Sequence, residues 1–288
     1  MQIEFKEKPY EKYFAAEIAR LTNVSFSPDQ CDEEFLGFDD AFRLPTWFFR
    51  RWLPHVHLRR GSRLNGISVR ELDDIVGEFS RRMPPFRFNL FVQYKRPEYL
   101  SRKSAQEWSC WDAPYFRYET MPHQQDLLEE LERQSRGRAA TVYASPAFWK
   151  ADDLWSSVTA QSVIGNSNIA NVTKLRGHSR FTYITHGNFG KGHSDPVDLE
   201  SPTIERVIED GTKQEALPFN QHIKRAAREL EQSLSNNEFG SKILDRIRYV
   251  LVEGEVSGIR IPDESVVAAL QKIEVASDAI GVSFFAIG

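Results

Sequence analysis

The sequence predicts a mixed α/β protein, a central sheet with helices packed against it. Three observations carry that expectation. Through residues 1–150, segments with an apolar period of three to four alternate with short apolar runs of strand length. Their order is helix, strand, helix, strand, strand, helix, strand. Of the 288 residues 41% are hydrophobic, and 20 Phe, 9 Tyr and 6 Trp supply the buried area that a disordered chain lacks. A chain of this length forms one large domain or two medium ones, with ample apolar material for a core.

The first helix is read over Pro9–Thr22, because Tyr10, Phe14, Ile18 and Leu21 recur on one stripe. A turn-rich stretch, Ser25 to Asp29, leads to a short strand at Phe35–Phe38 that ends on Asp39 and Asp40. Pro45 to Trp52 is a short aromatic helix or loop, and Arg59 to Arg63 a basic turn. Ser68 and Glu71 have the spacing of a capping box and open a helix that runs to Arg82, where Pro84 and Pro85 stop it. Phe86–Tyr94 and Tyr115–Tyr118 read as strands. Pro122 to Ser135 reads as a helix burying Leu127, Leu128 and Leu131, and Thr141–Ala144 as a buried strand. Beyond it come a strand at Phe181–Ile184, a glycine-rich loop from His186 to His193, helices over 219–234 and 264–273, and a last buried strand in the C-terminal Val282–Gly288.

The formal charge of -4 suits an ordinary globule, but it is unevenly spread. Residues 1–42 carry a net -6, residues 43–103 a net +9, and residues 104–288 a net -7. Screening acts over about 8–10 Å, so a partner meets the local patch rather than the sum. Arg50, Arg51, Arg59, Arg60, Arg63 and Arg96 lie in the basic middle, with Trp47, Phe48, Phe49 and Trp52 interleaved. That composition suits contact with the phosphates of a nucleic acid. Two cysteines, Cys31 and Cys110, suggest neither a disulfide framework nor a zinc site of their own. The N-terminus lacks an apolar signal core, and no run reaches the ~20 apolar residues of a membrane span. A soluble, cytoplasmic protein without membrane contact is the expectation.

The most informative stretch is Phe88 to Pro97. On a strand, residues two apart share a face, so Gln93 and Lys95 point one way and Tyr94 the other. An ammonium at the end of an apolar strand is costly without a partner, and acidic metal ligands beside it supply one.

With Gln93 and Lys95 as a Q-x-K pair, an Asp after a strand and a leading helix with Glu, the sequence resembles the PD-(D/E)XK, or restriction-endonuclease-like, nuclease superfamily. The resemblance spans roughly residues 9–150. It implies a mixed central sheet flanked by helices over residues 1–150, a basic helical insertion at 43–85, and a C-terminal α/β extension at 151–288, either separate or integral to the same domain. It implies Asp39 (alternatively Asp40), Gln93 and Glu17 (alternatively Glu11) as ligands of Mg²⁺ or Mn²⁺, with Lys95 orienting the nucleophile and steadying the phosphate. The activity implied is hydrolysis of phosphodiester bonds in double-stranded DNA, in restriction or anti-phage defence, by a homodimer or with a partner protein of a defence operon. A nucleic-acid-binding or assembly protein that retains the fold without the activity is the alternative.

His178, His186, His193 and Asp195 form a second candidate cluster for a transition metal. Their spacings are not those of a compact motif such as H-E-x-x-H, and loop hydrogen bonds are the plainer use of such histidines.

Overall fold

The computed structural model describes residues 3–22, 25–26, 42–43, 81, 83–236, 238–256 and 264–288. Among these it is a mixed α/β protein with seven α-helices, a mixed four-strand sheet and a five-strand antiparallel sheet. The chain forms two compact units that are each discontinuous in sequence: residues 1–21 with 90–211, and residues 22–89 with 212–288. Residues on both sides of position 150 therefore belong to the first unit.

The first unit opens with α1 (Glu7–Leu21). Tyr10, Phe14 and Ile18 are buried as the stripe predicts, but Leu21 is 46% exposed and Glu17 is buried instead. The helix also begins two residues before Pro9. Proline is tolerated in a first turn, where its missing N–H has no helical acceptor. The strand β3 (Phe88–Tyr94), buried along its whole length, neighbours β6 (Ala139–Pro146), which pairs antiparallel with β7 (Ser167–Asn171). Tyr94 turns to α1, its ring centroid 5.9 Å from that of Tyr10 and 5.5 Å from that of Phe14.

The antiparallel sheet runs β10 (Val197–Glu200), β9 (Phe189–His193), β8 (Arg180–Tyr183), β5 (Tyr115–Glu119), β4 (Glu98–Leu100). Its inner face is aromatic: Tyr118 packs on Phe181 at 5.4 Å and on Tyr143 of β6 at 5.8 Å. Here α2 (Pro122–Ser135) buries Leu127, Leu128 and Leu131 as expected. Two further helices, α3 (Ala151–Ala160) and α4 (Ile204–Gly211), complete the unit.

The expected glycine loop is a strand in its second half. Glycine is disfavoured in strands, so Gly190 and Gly192 read as a loop. Both are needed where they stand. A Cβ on Gly190 would sit 2.7 Å from Cε1 of Phe181, and one on Gly192 would sit 2.6 Å from the His178 ring.

In the second unit β2 (Phe42–Arg43), β1 (Ser25–Phe26) and β11 (Ser283–Ile287) are neighbours in that order. The Arg87 N–H donates to the Ile287 carbonyl at 2.8 Å. Three helices follow: α5 (Phe219–Ser235), α6 (Glu238–Val256) and α7 (Val266–Ile280). The expected strand at Phe35–Phe38, the segment Pro45–Trp52, the turn Arg59–Arg63 and, apart from the helical Arg81, the helix over 68–82 lie outside the described residues. No helix among the described residues is long and apolar enough to cross a membrane.

Candidate functional site at the end of β3

Strand β6 holds Lys95 at three consecutive residues. The Lys95 N–H donates to the Ala144 carbonyl at 2.9 Å, the Ser145 hydroxyl donates to the Lys95 carbonyl at 3.1 Å, and the Lys95 Nζ lies 5.0 Å from the centroid of the Tyr143 ring. Ser145 is held in turn, since the Tyr183 hydroxyl donates to its Oγ at 2.7 Å. The chain is thus fixed where the strand ends, before Pro97 diverts it.

The charge partner of Lys95 is Glu7, in the first turn of α1. Burial lowers the Lys95 ammonium to about 8, and the Glu7 carboxylate opposes that fall. Glu7 itself is pushed up, first by burial of its carboxyl group and then by the negative charge of Glu11, while Lys95 and the Arg96 backbone N–H pull it down. As a residue Glu7 is exposed, so it is the carboxyl group, turned toward its neighbours, that loses water. Glu11 ion-pairs with Lys8 at 2.9 Å. A carboxylate and an ammonium whose charges act on each other in a partly dry corner can bind a polar ligand or pass a proton.

Gln93 is 6% exposed, and its Oε1 is buried with no hydrogen-bond partner among the described residues. A buried amide oxygen is ordinarily paired, and leaving one unpaired costs about 1–3 kcal/mol. Strand alternation puts it on the Lys95 side of β3, opposite Tyr94.

Glu17 is differently employed. Its two oxygens accept the backbone N–H groups of Val163 and Ile164, at 2.8 and 2.9 Å, and it is 8% exposed. It clamps α1 to the turn that follows α3. Arg96 is exposed and donates to the Ile3 carbonyl at 2.6 Å. Asp39, Asp40, Arg50, Arg51, Arg59, Arg60 and Arg63 lie outside the described residues.

The sequence does not mark Glu7, because a helix that opens at Pro9 leaves it outside. A proline is tolerated anywhere in the first turn of a helix, so one that opens at Glu7 is equally consistent with Pro9. Tyr143 read as one more buried strand residue. A buried phenol must find an acceptor, and that requirement pointed to a built contact.

The histidines do not converge on a metal. His186 and Asp195 are exposed, and among the described residues no group of three or more His, Cys, Asp or Glu is placed to hold one. His193 is buried, with its Nε2 2.7 Å from the Thr182 Oγ1, which also accepts from the Trp111 Nε1–H at 2.9 Å. Burial holds the His193 ring below its usual value, and Arg180, His178 and Lys191 push the same way against Glu107. A neutral ring accepting from the Thr182 hydroxyl satisfies this chain.

Comparison of the chain with protein-family models, with curated proteins and with solved structures found no match.

Proposed function

We propose that the protein is a metal-dependent nuclease that hydrolyses phosphodiester bonds of double-stranded DNA at the end of β3. The observation that supports this reading best is the group assembled there. Lys95 carries an ammonium withdrawn from water and acted on by the Glu7 charge, on the strand face that also bears the Gln93 oxygen, which finds no partner among the described residues. In this reading the mixed sheet is the restriction-endonuclease-like central sheet. Glu7 takes the helix role that the resemblance gives to Glu17 or Glu11, and the remaining acid that the resemblance implies is Asp39 (alternatively Asp40).

The donors suit Mg²⁺ or Mn²⁺. Both ions take oxygen ligands, and Gln93 Oε1, Glu7 and Asp39 are all oxygen donors. When bound, such an ion supplies neutralising charge at the phosphate and a more acidic water. The chain's own contribution is electrostatic and positional. Lys95 offers a compact positive charge to a phosphate oxygen, and partial burial strengthens that charge relative to an exposed lysine. Glu7 favours the protonated amine, so the charge persists at neutral pH. Glu11 raises the proton affinity of Glu7 in turn. The basic segment 43–103, net +9, attracts the polyanion. Restriction or anti-phage defence is the setting in which such an activity acts, with two sites in a homodimer or a partner protein serving the two strands.

Incubation of supercoiled plasmid with the full chain and Mg²⁺ or Mn²⁺ tests the reading. Relaxed and linear products from wild type, absent with both Lys95→Ala and Asp39→Ala, are expected. DNA binding without cleavage in either metal points instead to a binding protein.

A further inference from the structure

A chain of four rings runs from the core of the first unit to its surface. The Tyr183 and Phe116 centroids are 5.4 Å apart, those of Phe116 and Tyr99 5.0 Å, and those of Tyr99 and Trp149 5.6 Å with the planes 8° from parallel. The inner end is fixed, since the buried Tyr183 hydroxyl donates to Ser145, which donates to the Lys95 carbonyl. The outer end is Trp149, half-buried, with the Nζ of the exposed Lys150 5.2 Å from its ring centroid. The Glu4 N–H donates to the Trp149 carbonyl at 2.9 Å, and Arg96 donates to the Ile3 carbonyl at 2.6 Å. Trp149 and the residue after Lys95 are thus tied to one dipeptide, which places the ring beside the candidate site. Lys191 lies over Trp111 in a similar way, at 5.0 Å, but it is ion-paired with Asp198. Lys150 has no ion-pair partner among the described residues, and the Glu4 carboxylate is engaged by the Ala151 N–H at 3.1 Å.

We infer that Trp149 and Lys150 form a nucleotide subsite: an unpaired base of the substrate strand stacks on the indole face that Tyr99 leaves open, and the Lys150 ammonium passes from the ring to the neighbouring phosphate. This rests on the reading of the end of β3 as a phosphodiester site, and it names the substrate class, DNA with an unpaired nucleotide beside the bond that is cut. A base inside a duplex already has both faces covered by its neighbours, so an indole offers it no new contact. An unpaired base has an open face, and stacking it on an aromatic ring is favourable for every base. The ammonium is suited to the exchange because it is held by the ring alone. In turning to a phosphate it gives up a cation–π contact and breaks no ion pair, as Lys191 would have to. The indole needs no reordering, since Tyr99 and the Glu4 N–H hold it before the base arrives.

The test measures binding of the full chain, in EDTA so that nothing is cut, by fluorescence anisotropy. Three labelled duplexes of one sequence are compared: blunt, with a short thymine tail, and with the same tail made abasic. Wild type should bind the thymine tail about tenfold or more tighter than the abasic tail, the size of one base stacked on an aromatic ring. Folded Trp149→Leu should lose that difference. Lys150→Gln should weaken binding of both tails and flatten the slope of log K against log salt by about 0.7, the share of one single-strand phosphate. Equal binding of the thymine and abasic tails by wild type, a comparison that needs no variant, would overturn the inference. So would a preference that persists in Trp149→Leu, which would assign the stacking to another ring. Plasmid cleavage in Mg²⁺ is read separately. Cleavage together with equal binding of the two tails sinks the subsite alone, whereas neither binding nor cleavage sinks it along with the nuclease reading.

Discussion

Lys95 and Tyr143 meet across neighbouring strands, ammonium to ring, at 5.0 Å. The lysine backbone is pinned at the same place by Ala144 and Ser145. A side chain with four rotatable bonds is ordinarily the least defined part of a protein surface. Here the Tyr143 ring lies under the ammonium and the Glu7 charge acts on it, while Ala144 and Ser145 fix the backbone.

Glu17 is predicted to act through structure. Glu17→Gln replaces one accepting oxygen by an amide that cannot accept from a backbone N–H. It should destabilise the fold by about 1.5–3 kcal/mol, the range for hydrogen bonds to a charged group. Urea unfolding gives the cost. The Lys95 titration should stay at its wild-type midpoint, and a shift there would place Glu17 in the site after all.

The Lys95 amine should also carry a pH-dependent cost. Its pKa in the folded chain, about 8, lies below the ordinary lysine value of about 10.4, so between these values the unfolded state binds more protons than the folded one. Stability contributed at this position therefore rises with pH through that window, and below about 8 the full cost of burying the charge is present. Lys95→Met should be more stable than wild type at pH 7, with the advantage shrinking toward pH 10. Paired denaturation curves at the two pH values check this.

Gly190→Ala and Gly192→Ala should each destabilise by about 1–3 kcal/mol, the usual cost of overpacking, because the new methyl meets Phe181 in one case and His178 in the other. Thermal melts of the two variants decide it. Wild-type stability in either would mean that β9 is not packed as described.

Charge reversal at Arg59, Arg60 and Arg63 together should weaken DNA binding. It should also flatten the dependence of log K on log salt by up to about 0.9 for each phosphate no longer neutralised. Fluorescence anisotropy across a salt series gives both quantities. An unchanged slope would remove the basic segment from the interface.

Much of this architecture was legible in the residues. Periodicity located α1, α2 and α5, and apolar runs located β3, β5, β6, β8 and β11, because these elements bury one clear face or lie wholly in the core. Short polar strands were not legible. Val197–Glu200 in β10 is mostly exposed, and β9 carries glycines that propensity assigns to loops. In α1 the stripe ended wrongly, since a charged residue, Glu17, was buried by accepting two backbone N–H groups that the sequence cannot display. At the site, Gln93 and Lys95 stood out as polar residues in an apolar strand. Glu7 and Tyr143 did not, because their significance lies in which element they approach, and that is a tertiary fact.

In the proposed function, Lys95 and Glu7 at the end of β3 perform phosphodiester hydrolysis. The most direct measurement is the single-turnover rate of DNA cleavage in Mg²⁺ or Mn²⁺ for wild type, Lys95→Ala, Glu7→Gln and Glu17→Gln, each confirmed folded. Cleavage by wild type is expected, with rates reduced by about 10²-fold or more in Lys95→Ala and Glu7→Gln, and a rate near wild type in folded Glu17→Gln. Cleavage that survives Lys95→Ala at the wild-type rate would exclude the end of β3 as the site of hydrolysis.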